Sequence, residues 1–122
     1  MYILSLAFYL THTSIMMKTA NYIYTILNSN QIVLWSWGFE KPQALPNDEG
    51  LIFHVNGYKH NGFVKVVYHE DKDLFVVILL DNDKTELQRI NNVYFDGLID
   101  VIDEAVERTT DYEDRIRRIF SN

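Results

Sequence analysis

Hydrophobic side chains recur along this chain with two periods, and each change of period marks a new element. Met16, Ala20, Ile23 and Leu27, with Ile26 alongside, fall at helical spacing, and Asn28-Ser29-Asn30 then supplies stop residues. The spacing predicts a first helix over 17–29. Residues 31–39, QIVLWSWGF, alternate instead, with Val33, Trp35, Trp37 and Phe39 on one side and Ile32, Leu34 and Ser36 on the other. That alternation predicts a strand whose aromatic side faces the core. The stretch 40–50 contains Pro42, Pro46 and Asn47-Asp48-Glu49-Gly50, and reads as a loop.

Strand patterning is plainer beyond it. Leu51, Phe53 and Val55 oppose Ile52, His54 and Asn56, and Val64, Val66 and Tyr68 oppose Phe63, Lys65 and Val67. Asn56-Gly57 and Asn61-Gly62 bracket the link between these runs, which predicts a hairpin with a loop at 57–61, its glycines supplying positive φ. Residues 74–80 are continuously apolar, the mark of a strand covered on both faces. Turns at 70–73 and 81–84 flank it, and 85–90 forms a weaker strand.

The most regular element follows. Phe95, Leu98, Ile99, Ile102, Ala105 and Val106 make one apolar stripe, and Asp96, Asp100, Asp103 and Glu107 run along another, predicted to face water. Thr110 and Glu113 have the spacing of a capping box, so a second helix is predicted from about Asp111. Three acid-to-base pairs at i,i+4, beginning with Asp111 and Arg115, would support it. Short connections make an antiparallel arrangement the economical one. The chain is therefore read as α+β: an N-terminal helix, a meander sheet of four or five antiparallel strands, and one or two C-terminal helices on one face.

Residues 1–16 carry no Lys, Arg, Asp or Glu. They lack the basic start and cleavage site of a secretory signal, and the apolar run 3–10 is too short to span a bilayer. They read as an apolar extension that covers the core or as sequence upstream of a start at Met16-Met17-Lys18, leaving 17–122 as one domain. No membrane partner and a cytoplasmic location are expected.

Composition adds limits. With 122 residues, 48% hydrophobic and 23% charged, the chain is long enough to bury one core unaided. The absence of cysteine excludes disulfide scaffolds and thiol nucleophiles. The net charge of −6 is unevenly placed: eight acids and one base lie between Phe95 and Asp114. Contact with phosphates needs the opposite bias, so direct binding of nucleic acid is disfavoured, and stacking of bases on Trp35 and Trp37 with it.

Several stretches together resemble a known group. These are Ile26-Leu27-Asn28, Trp37-Gly38, Ala44-Leu45, Gly50-Leu51-Ile52-Phe53-His54-Val55-Asn56-Gly57, Lys59-His60-Asn61-Gly62 and Val64-Lys65-Val66. With them goes Val93-Tyr94-Phe95-Asp96-Gly97-Leu98-Ile99-Asp100-Val101-Ile102-Asp103. In order and spacing they are similar to a family of small uncharacterised proteins of phages, plasmids and integrated elements of gut and oral bacteria. The similarity runs from about Tyr22 to Glu107. It implies a mobile-element origin and carries over no catalytic residue.

Three places invite chemistry. The 57–62 loop gathers Tyr58, Lys59 and His60, which suit a recognition loop, although turn chemistry alone explains its glycines and asparagines. His54, His60 and His69 suggest a metal, yet their spacing matches no ligand pattern, and Asp81-Asn82-Asp83 departs from a calcium loop at Glu86 and Asn92. The row Asp96, Asp100, Asp103 and Glu107 is either a solvated face or an anionic array for a basic partner. No catalytic constellation, metal site or cofactor is read from the sequence. The resulting expectation is a non-enzymatic protein-interaction module acting through the acidic helix, the loop, or both, with partner identity and oligomeric state open. The rival is a small-ligand binder or hydrolase with a pocket near His54, His60 and Tyr68.

Overall fold

A six-residue helix stands where alternation predicted a strand. The computed structural model describes residues 17–108 and begins with helix α1 (Lys18–Asn28), followed at once by α2 (Gln31–Ser36). The Asn30 side chain accepts from the Val33 N–H at 3.4 Å, which caps α2 at its start. Gly38, at φ 66°, follows its end in the left-handed conformation that suits glycine. The spacing that matters is Leu34 to Trp37, three residues apart and both buried, whereas Trp35 points into water. Trp35 and Trp37 thus do not share a face, contrary to the strand reading.

The predicted loop also contains a strand. β1 (Glu40–Ala44) pairs antiparallel with β2 (Gly50–Asn56), and its irregular register accommodates Pro42 at the sheet edge. A short 3-10 turn at Pro46–Asp48 joins them. The remaining strands are β3 (Asn61–His69), β4 (Leu74–Leu80) and β5 (Glu86–Val93). All five form one antiparallel sheet in the order β1-β2-β3-β4-β5. A 3-10 turn at Phe95–Gly97 leads into α3 (Leu98–Val106). The protein is α+β, with the described helices on one side of a five-stranded meander. The second C-terminal helix read from Asp111, and the apolar segment 1–16, lie outside the described residues.

One side of the sheet makes the core. Leu51, Phe53, Val55, Val64, Val66, Phe75, Val77 and Leu79 project inward and pack against Ala20, Ile23 and Leu27 of α1 and Leu98, Ile102 and Val106 of α3. Trp37 is wholly buried among them. The apolar stripe of α3 holds for Leu98, Ile102 and Val106, with Ile99 and Ala105 at its margin. Phe95 departs from it: the residue sits in the turn ahead of the helix and is exposed.

Candidate functional site

α3 faces the sheet with its apolar stripe, so its carboxylates are carried to the sides and outer surface. They divide into two groups. Asp96, Asp100 and Glu104 are exposed. Asp103 and Glu107 are half-buried and turned toward the rest of the molecule, a correction to the single water-facing row. Asp103 accepts from the Trp37 indole Nε1–H at 2.9 Å and pairs with Arg108 at 3.4 Å. A buried indole N–H needs such an acceptor, because leaving it bare costs its full desolvation.

Glu107 reaches the loop between β2 and β3. Its Oε2 accepts from the Tyr58 backbone N–H at 2.8 Å. Next to it the Lys59 N–H donates to the Val106 carbonyl at 2.8 Å, and the Lys59 ammonium donates to the Glu104 carbonyl. The last carbonyls of a helix lack intrahelical donors, so this loop supplies what α3 needs at its C-terminus. The positive Lys59 side chain also lies at the negative end of the helix dipole.

The loop itself is closed by the Gly57 N–H donating to the His60 carbonyl at 3.0 Å. Gly57 is required for proximity: a Cβ there would run into the side chain and carbonyl of Val106. Positive φ, the reason expected from the Asn-Gly pairs, is not involved, since among the described glycines only Gly38 has it. His60 is buried, with Nε2 3.2 Å from the Phe63 carbonyl. Tyr58, by contrast, is 67% exposed. The structure therefore brings the loop and the acidic helix together, and makes Lys59, His60, Asp103 and Glu107 into supports.

The three histidines do not converge. His54 projects from the side of β2 away from the helices, where Nδ1 lies 3.1 Å from Glu40 and Nε2 2.8 Å from the Asn82 side-chain oxygen. His69 is exposed at the end of β3. Tyr68 projects from the opposite side of the sheet to His54 and donates its hydroxyl to Asp73 at 2.7 Å. That bond pushes the Tyr68 phenol up to about 12, helped to a lesser degree by burial and by the negative charge of Asp73. The pocket imagined around His54, His60 and Tyr68 is not assembled. Among the described residues, no group of three His, Asp or Glu side chains could hold a metal ion.

Two depressions stand out among the described residues. A cavity of about 560 Å³ is lined by Lys18, Tyr22, Asp48, Glu49, Tyr68 and Glu70. Two of its lining rings, Tyr22 and Tyr68, meet edge-on at 5.4 Å. Another, of about 420 Å³, lies between β5 and α3 and is lined by Lys59, Gln88, Ile90, Val101, Glu104 and Ala105. Among the described residues, no helix is long and apolar enough to cross a membrane.

Compared with protein-family models, curated proteins and solved structures, the chain matches none.

Proposed function

We propose that the chain is a non-enzymatic protein-interaction module of a mobile genetic element, docking on a basic surface of a host or element protein. The docking face is the outer side of α3 together with the adjoining 57–60 loop. One observation carries this reading: the loop backbone is bonded to the last turn of α3 at Tyr58, Lys59 and Glu107. Two segments distant in sequence thereby form one rigid surface, which lowers the ordering cost of association. On that surface Asp96, Asp100 and Glu104 are exposed, beside an aromatic ring at Tyr58. Carboxylates of one sign steer a basic partner and set a salt-dependent rate of encounter. The mobile-element origin rests on the resemblance of 22–107 to small proteins of such elements.

The test replaces Asp96 and Asp100 by Asn and Glu104 by Gln in the full chain. Capture of partner proteins from the native host should weaken at low salt and lose most of its salt dependence. Capture with unchanged salt dependence would overturn the reading. The rival pocket has no such support, because His54 and Tyr68 leave the sheet from opposite sides.

A further inference from the structure

The side of the sheet away from the helices is not bare. Val76, Ile78 and Leu80 of β4 project there, yet they are only 5%, 3% and 6% exposed. Among the described residues, the apolar groups packed on them are Phe63 and Val67 of β3 and Ile52 of β2, which are themselves half-buried. All three described helices belong to the other side. An antiparallel sheet with one solvated face leaves its outward side chains wet and polar. Here the β4 strip is neither, although Lys65 and Arg89 flank it on the neighbouring strands. β4 is buried from Phe75 to Leu80 on both sides, as a strand between two layers would be.

We propose that this outward face is a docking surface for the chain's own N-terminal segment, residues 1–16. Its composition fits: Ile3, Leu4, Leu6, Phe8 and Leu10 are apolar, and the segment bears no charged side chain. Removing such side chains from water against an apolar strip is favourable in proportion to the apolar area covered. Its point of attachment fits too. The Thr19 N–H donates to Asp48 Oδ1 at 2.8 Å, so the chain enters α1 beside the turn that joins β1 and β2. That turn lies at the end of the sheet, from which either face can be reached. Sixteen residues extend to roughly 50 Å at about 3.3 Å each, ample to pass around the rim and cross the strands. The surface is distinct from the acidic face of α3, so the two proposals stand or fall separately.

The chain has no cysteine, so a single one can carry a nitroxide without competition. Lys65 is paired with Ile78 across β3 and β4, and its side chain leaves the sheet on the outward side. In the full chain with Lys65→Cys labelled, the amide signals of residues 3–10 should lose most of their intensity and regain it on reduction of the label. Arg89, on the other flank of Ile78, gives the same reading through Arg89→Cys if the first substitution disturbs the sheet. A label at Ile32→Cys, on the helix side, should broaden residues 3–10 less. Signals for 3–10 that stay sharp with both outward labels, or that broaden equally from Ile32, would overturn the proposal. So would broadening seen only when nitroxide-labelled and isotope-labelled chains are mixed, which would place a second copy on the face.

Discussion

The carboxylates on α3 and its two flanking turns lie within twelve residues, Asp96 to Glu107, yet they divide into two populations with different work. Asp103 and Glu107 are half-buried and each holds a distant backbone or ring N–H, whereas Asp96, Asp100 and Glu104 stand in water. The difference teaches that charge on an amphipathic helix is not all surface. A position at the border of the apolar stripe can be claimed by whatever donor the neighbouring element brings. Trp37 arrives from α2 and claims Asp103, and the 57–60 loop arrives from the sheet and claims Glu107.

Substitutions can break or sharpen that division. The largest effect is expected at the partner of the inner group: Trp37→Ala removes a wholly buried ring and should cost about 3–5 kcal/mol in urea unfolding. Asp103→Ala leaves the indole N–H without its acceptor and should cost roughly 1–3 kcal/mol, while Asp103→Asn, which keeps an acceptor, should cost less. The outer group should behave differently. Asp100→Asn and Glu104→Gln should each stay within about 0.5 kcal/mol of the parent, as surface changes do. A cost for Glu104→Gln as large as that for Asp103→Ala would erase the distinction.

A third carboxylate far from α3 sharpens the point. Asp73 accepts from the Tyr68 hydroxyl and holds that phenol protonated to about pH 12. The unfolded phenol ionises near its ordinary value of about 10, so the bond's contribution is complete below that pH. It is lost as pH rises through 12. Urea midpoints should fall between pH 10 and 12, and Tyr68→Phe should flatten that fall. Opposite in sign, Tyr24→Phe should leave stability unchanged or raise it by up to about 1 kcal/mol, because the Tyr24 hydroxyl is buried with no hydrogen-bond partner among the described residues.

Much of the fold was legible for physical reasons that particular residues show. Leu98, Ile102 and Val106 recur at the helical period over enough turns to decide the element, and 74–80 is apolar without a break, as a doubly covered strand is. Residues 31–39 were not legible by period, since six residues fit either alternation or a short helix. The decisive marks were local, Asn30 as cap and Gly38 past the end, and they carry more weight than the alternation of Val33, Trp35 and Trp37. β1 was hidden by Pro42, which an edge strand tolerates and a central one does not.

The candidate site was legible as two separate features, a loop and an acidic stripe. Their union was not, because hydrogen bonds between residues about fifty positions apart leave no periodic trace. Gly57 was the one available signal, read for its turn chemistry when its office is to let Val106 approach.

Amide hydrogen exchange at Tyr58 and Lys59 tests the joined surface most directly. Both N–H groups are donated to α3, so both should exchange far more slowly than those of an open loop. Glu107→Ala should release Tyr58 while Asp100→Asn leaves it protected. Fast exchange at both amides in the parent chain would contradict the account.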